Sequence, residues 1–204
     1  HTRSLFDWSS DVCSSDLFQA AGITAGLKAS GRPDLALLLA PAGAVCAGTF
    51  TTSVVRAACV DLCADRLRAS GGRARAVLTN SGQANACTGE RGLADSLLAT
   101  SALAQRLDLV PEEILICSTG VIGVPIPMEI LLGALDPLVD ALSPEGGGAA
   151  AQAILTTDLV EKQIAVGASL EDRQVRIGGM AKGSGMIHPD MATMLATLSC
   201  DAGV

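Results

Sequence analysis

Apolar positions in this chain fall into short continuous runs and longer interrupted ones, with Gly, Pro or Asp at the joins. The runs at 35–39, 45–50, 75–78, 114–117, 163–166, 174–177 and 194–198 predict strands. The segments 93–107, 128–142 and 147–155 predict helices, the first with an incomplete apolar stripe of Leu97, Leu98, Leu103 and Leu107. Pro111-Glu-Glu restarts the chain ahead of the next strand. This alternation predicts an α/β (α+β) fold. Three polar transitions interrupt it. Asn80-Ser-Gly-Gln-Ala-Asn-Ala-Cys-Thr-Gly89 and Cys117-Ser-Thr-Gly120 read as turns that follow strands. Thr156-Thr-Asp158 reads as a turn or cap after a helix.

Hydrophobic residues make up 49% of the 204, enough for a sizeable core. The longest apolar runs, 35–44 and 130–142, are too short or too broken by Gly, Pro and Asp to span a bilayer. Net charge is −7 and aromatic residues are 2%, with no basic run, so neither a membrane nor a nucleic acid is an expected partner. Seven cysteines are scattered without a CxxC pair. Cys59 and Cys63 would share a helix face, but no second pair accompanies them and only His1 and His188 are available. The expected metal is therefore none, and the thiols read as free in a reducing cytoplasm.

The first 17 residues stand apart. Asp7-Trp-Ser-Ser-Asp-Val-Cys-Ser-Ser-Asp-Leu17 is what one reading frame of a common sequencing-library adapter encodes, so residues 1–17 are expected to be a non-native leader. Their polar character does not fit a signal peptide.

The densest chemistry lies in Met180-Ala-Lys-Gly-Ser-Gly-Met-Ile-His-Pro-Asp-Met-Ala-Thr193-Met-Leu195. A glycine-rich loop carrying Lys182 leads to an Ala192-Thr193 step that opens an apolar strand. The ordinary role of such a threonine is to begin a strand. Were the Ala192–Thr193 bond to break, however, the new α-amine, with a pKa near ~8, would serve as base for its own residue's hydroxyl. The lysine is followed by Gly rather than Ser or Thr, so the phosphate-loop pattern is not met. Cys87 has no His or basic partner in sequence and does not read as a nucleophile.

Six ordered segments together resemble one family. They are Ala20-Ala-Gly-Ile-Thr-Ala-Gly-Leu-Lys28, Gly48-Thr-Phe-Thr-Thr52, the 80–89 segment, Cys117-Ser-Thr-Gly-Val-Ile-Gly123, Ile154-Leu-Thr-Thr-Asp158 and the loop into Thr193. The chain from about Phe18 onward is similar to the self-processing bifunctional ornithine acetyltransferase / glutamate N-acetyltransferase family of arginine biosynthesis. The resemblance implies β-sheets sandwiched between helical layers, with the processed threonine beginning an inner strand. It implies a first (alpha) subunit at 18–192, the start of a second (beta) subunit at 193–204, and a heterotetramer of two alpha and two beta chains. On that reading the chain is a fragment, expected to be inactive alone.

The resemblance also assigns roles. Thr193 attacks the Ala192 carbonyl to cleave the chain, then carries acetyl from N2-acetyl-L-ornithine to L-glutamate, releasing ornithine and N-acetylglutamate. No cofactor is implied, although some relatives also take acetyl-CoA as donor. The Thr119 hydroxyl and the Gly120 N–H correspond to the oxyanion hole. Lys182, Thr193 and one of Thr156 and Thr157 correspond to substrate contacts. Leu159 stands where many relatives carry another threonine. Two other readings stay open: an N-terminal-nucleophile aminopeptidase that gives its acyl group to water, and a non-catalytic scaffold.

Overall fold

The computed structural model describes residues 5–7, 17–170, 173–184 and 194–202. In chain order its elements are β1 (Leu5–Asp7), β2 (Gln19–Ile23), β3 (Leu35–Leu39), α1 (Ala58–Ser70), β4 (Ala76–Gln83), α2 (Gly89–Leu107), β5 (Ile114–Val121), α3 (Met128–Gly133), α4 (Leu135–Asp140), α5 (Gly147–Ala153), β6 (Lys162–Leu170), β7 (Arg173–Lys182) and β8 (Leu195–Cys200). They form an α+β fold with two four-stranded sheets, ordered β2-β3-β4-β5 and β1-β6-β7-β8. No helix among the described residues is long and apolar enough to cross a membrane.

Among the described residues only β4 and β5 pair in parallel, and α2 supplies the crossover that a parallel pair requires. β3 reads Leu-Ala-Leu-Leu-Leu because both of its faces are covered. Leu35 and Leu37 join Leu78, Ile114 and Ile116 under the layer of α1 to α4. Ala36 and Leu38 face the other way, onto α5 and Met180 of β7. The close approach of α5 depends on a glycine: a Cβ on Gly22 of β2 would overlap the Ala149 carbonyl. The outer face of the second sheet exposes Ile164, Ile177 and Leu198. Of the expected helical layers, the described residues show the one on the first sheet.

Several elements depart from the sequence pattern. The segment 45–50 is not a strand. Its one ladder contact among the described residues is the Val45–Arg73 bridge, and the chain doubles back so that the Phe50 ring lies over Gly48. The segment 128–142 is two short helices. Pro137 in the first turn of α4 costs no hydrogen bond there, but its ring would meet the carbonyl of residue 133 in one continuous helix. In α2, Leu93, Leu97 and Leu98 are exposed and the buried face is Gly92, Ser96, Ala99, Thr100, Leu103 and Ala104. Those small residues let Asn85 reach Gly92 O and Ser96 Oγ, each at 2.9 Å.

The sequence pattern missed β2 and α1. In α1 the buried positions are Cys59, Cys63, Arg66 and Leu67, so only one of the four side chains in its stripe is hydrocarbon. Arg66 is buried because its guanidinium donates to Ile114 O at 2.6 Å and Thr100 Oγ1 at 3.0 Å. Of residues 1–17, β1 pairs antiparallel with β6 from Leu5 opposite Ala168 to Asp7 opposite Val166.

Candidate active site

The segment 80–89, expected to be a turn after a strand, begins as the last four residues of β4 before the chain leaves the sheet. The segment 117–120, also expected to be a turn, lies within β5, and the two strand ends pair through Ser81–Thr119 and Gly82–Gly120. Backbone pairing needs no apolar side chain, so the ladder runs on into polar sequence and carries it into the interior. Asn80 and Ser81 are fully buried and Thr119 nearly so. Gly120 has φ 132°, a conformation that excludes other residues, and a Cβ there would overlap the Gly82 carbonyl.

Lys182 is not a solvated loop lysine. It is the last residue of β7, paired with Leu195 of β8, and only 4% exposed. Its Nζ donates to Thr119 Oγ1 at 3.1 Å. An ammonium has only donors, so the Thr119 hydroxyl accepts this bond and keeps its own O–H to give elsewhere. Burial pushes the Lys182 ammonium below the usual lysine range, with Lys162 repulsion adding to the fall and Asp158 opposing it.

The Thr156-Thr157-Asp158 turn faces the same strand end. Thr157 Oγ1 lies 3.0 Å from Ser184 Oγ, and Asp158 Oδ1 accepts the Gly183 N–H at 2.8 Å. Thr156 is the more buried of the two threonines. On the turn's other side, Lys28 Nζ donates to Leu155 O at 2.6 Å and Pro33 O at 2.7 Å. Asp34 shapes the loop that carries Lys28, its carboxylate accepting the backbone N–H groups of Ala25, Gly26 and Lys28.

Ala192, Thr193, His188 and Asp190 lie outside the described residues. Their flanks do not. A Cβ on Gly183 would stand 3.5 Å from Met194 Cγ and 3.6 Å from Met194 Cα, so Met194, covalently bonded to Thr193, resumes the chain beside the residue that opens the segment. Met194 and Thr197 line one cavity of about 330 Å³ with Cys117, Thr119, Gly120 and Met180. That volume suits a small metabolite. A second, open groove of about 550 Å³ shares no lining residue with it and has Glu129 as its one charged group.

Three cysteines line the cavity. Burial pushes the Cys63 thiol up to about 11 and also raises Cys59 and Cys117, so all three stay protonated and unreactive at neutral pH.

The profile of the ArgJ family matches residues 19–204. The chain belongs to the ArgJ family. It is 78% identical over 187 residues to the arginine biosynthesis bifunctional protein ArgJ of Prochlorococcus marinus (strain MIT 9313), covering 92% of this chain and 44% of that protein. It is 72% identical to the ArgJ protein of Parasynechococcus marenigrum (strain WH8102), covering 96% of this chain and 48% of that one. The chain thus spans less than half the length of these curated ArgJ relatives. Among solved structures, ornithine acetyltransferase from Mycobacterium tuberculosis, complexed with ornithine, superposes with a TM-score of 0.82 at 39% identity, over 97% of this chain and all of that one. ArgJ from Bacillus halodurans gives 0.85 at 34% identity, over 96% and all respectively. The match to the family begins at residue 19 and leaves the adapter-like residues outside it.

Sequence reasoning did not single out three charged residues that bond around the Thr156–Thr157 turn and the end of β7: Lys28, Asp158 and Lys162. The one available signal was Lys162 standing four residues after Asp158.

Proposed function

We propose that this chain belongs to an acetyltransferase of arginine biosynthesis that moves acetyl from N2-acetyl-L-ornithine to L-glutamate, with Thr193 as a self-generated nucleophile. The observation that carries the reading is the cavity in which the Thr119 hydroxyl and Gly120 stand with Met194, the residue bonded to Thr193. The ornithine bound to the Mycobacterium tuberculosis relative supports an ornithine-derived substrate.

In the first reaction the Thr193 hydroxyl attacks the Ala192 carbonyl carbon. The C–N bond breaks as the acyl group moves from N to O, and water hydrolyses the resulting ester. The products are a carboxylate at Ala192 and a free α-amine on Thr193. In the second, that amine takes the hydroxyl proton as oxygen attacks the acetyl carbonyl of N-acetylornithine. Ornithine leaves with the proton on its α-nitrogen, and acetyl remains on Thr193 as an ester. The α-amine of glutamate then attacks this ester, giving N-acetylglutamate and restoring the hydroxyl. Each attack builds a negative oxygen, for which the Thr119 O–H and Gly120 N–H are donors fixed beforehand. The Lys182 ammonium pairs with the substrate α-carboxylate, and Thr156 or Thr157 contacts the substrate beside it. No cofactor enters this exchange, with acetyl-CoA an alternative donor. The processed chains assemble as two alpha and two beta subunits.

The test is the chain completed with the second half of the Prochlorococcus relative. Two polypeptides are expected, the second beginning at Thr193, together with transfer of labelled acetyl from acetylornithine to glutamate. Thr193→Ala should remain one polypeptide. A different second N-terminus, or an alanine variant that still divides, overturns the reading. Release of acetate without transfer to glutamate would replace it with the hydrolase.

A further inference from the structure

Asp158 has a fully buried side chain at the turn between α5 and β6. A buried carboxylate is costly unless it is paired and hydrogen-bonded. Here Oδ1 accepts from Lys162 Nζ at 2.5 Å and from the Gly183 N–H at 2.8 Å, and the Thr156 N–H also bonds the carboxylate. Oδ2 is buried with no hydrogen-bond partner among the described residues. This one carboxylate therefore ties the Thr156–Thr157 turn to the end of β7 and places a negative charge near the buried Lys182 ammonium.

The geometry points to Asp158 as a positioning residue. Its carboxylate fixes Gly183, which opens the segment ending in Thr193, beside Met194, which resumes the chain after it, and, bonded to the residue next to Lys182, it sets a compensating charge near that ammonium. The inference rests on the proposed transferase reading and adds a residue which that reading does not use. The two parts of the role are separable. The Gly183 contact needs only an acceptor atom, which Asn retains. The effect on Lys182 needs the charge, which Asn lacks.

Intramolecular attack depends on holding hydroxyl and carbonyl in register, and a displacement of about 1 Å can cost about 10²-fold in rate. The charged groups acting on Lys182 among the described residues are Asp158, which holds its proton on, and Lys162 and Lys28, which repel it. Removing the negative charge leaves the repulsions unopposed, so the ammonium is lost at lower pH.

The experiment compares Asp158→Asn and Asp158→Ala with the wild type in the completed chain. It follows the cleaved fraction with time and the pH profile of kcat/KM for acetylornithine. Asp158→Asn is expected to cleave within about 3-fold of wild type while the alkaline limb of its transfer profile moves to lower pH. Asp158→Ala is expected to cleave on the order of 10-fold slower or worse. A purely structural role would lower folded yield without moving the pH limb. An Asn variant with an unmoved limb overturns the proposal, and so does an Ala variant that cleaves at the wild-type rate. If the Ala variant does not fold, the pH limb of the near-isosteric Asn variant decides. A wild-type chain that stays uncleaved overturns the transferase reading itself, whereas wild-type cleavage with an unaltered Ala variant removes only the role of Asp158.

Discussion

Lys182 Nζ and Thr119 Oγ1, 63 residues apart in sequence, lie 3.1 Å apart at the meeting of the two sheets. The contact couples a proposed substrate residue to a proposed oxyanion donor, so their substitutions should not act independently. Thr119→Ala should slow both self-cleavage and acetyl transfer by roughly 10²-fold, the typical cost of one oxyanion donor. Lys182→Met should impair transfer more than cleavage, because cleavage needs no substrate carboxylate and its reactants are already tethered. The double variant should lose less than the product of the two single losses. A full double-mutant cycle on the transfer rate measures this, and strict additivity would mean that the contact carries no function.

Burial of the Lys182 ammonium gives stability and activity opposite pH trends. The folded-state value lies below that of the unfolded chain, so below it both states are protonated and the burial penalty is fully felt. As pH rises from the folded value toward the unfolded one near ~10.4, the unfolded state holds more protons and stability increases. Over the same interval the ammonium needed for carboxylate binding disappears. KM for acetylornithine should rise with pH while the Lys182 contribution to Tm rises too. Comparing the Tm profiles of wild type and Lys182→Met isolates that contribution, and parallel profiles would contradict the assigned burial.

Asp158 has the reverse sign. Its carboxyl is held down at about 2, although burial alone would raise it, because Lys162 and the N–H groups of Gly183 and Thr156 stabilise the anion. The stability this confers is present above the ordinary aspartate range and is lost as pH falls toward about 2. Asp158→Asn should flatten this acid-side loss. Circular dichroism of both proteins from pH 6 downward checks it, and equal acid midpoints would count against the carboxylate's role.

Gly120→Ala tests whether the ends of β4 and β5 need a bare backbone. The added methyl would overlap the Gly82 carbonyl and would also have to sit at φ 132°. Gly123 has φ 78° with nothing within 4 Å of a Cβ, so it carries only the conformational strain. Gly123→Ala should cost about 1 to 3 kcal/mol. Gly120→Ala should cost more than that and abolish cleavage. Denaturant titration of both variants gives the comparison, and equal costs would mean that the strands part easily.

The sequence made legible those elements whose periodicity matched their burial. β3 appears as written because both faces are covered by hydrocarbon, and the long second helix appears because length alone distinguishes it. α1 was hidden because its buried face, Cys59, Cys63, Arg66 and Leu67, holds one hydrocarbon side chain, two thiols and a charge. The polar ends of β4 and β5 were hidden for a related reason. Asn80, Ser81 and Thr119 look like turn residues until the parallel ladder buries them. In the candidate site, motif order pointed to Thr119, Gly120 and Lys182. It included Lys28 and Asp158 in the matching segments but gave neither a role, and it said nothing of the Lys182–Thr119 contact, because the bonds these residues make are tertiary.

Lys28 supplies a prediction opposite in sign to that for Asp158→Asn. Its ammonium holds Leu155 O and Pro33 O, fastening the start of the Thr156–Thr157 turn, and its charge repels Lys182. Lys28→Met leaves two carbonyls without that donor, each such loss costing roughly 1 to 3 kcal/mol where water cannot replace it. The turn should loosen and KM for acetylornithine should rise. Removing a like charge also lets Lys182 keep its proton to higher pH, so the alkaline limb of transfer should move up where Asp158→Asn moves it down. Measuring both variants across one pH series separates electrostatics from packing. Limbs that shift in the same direction would show that loosening of the turn, rather than charge around Lys182, governs the profile.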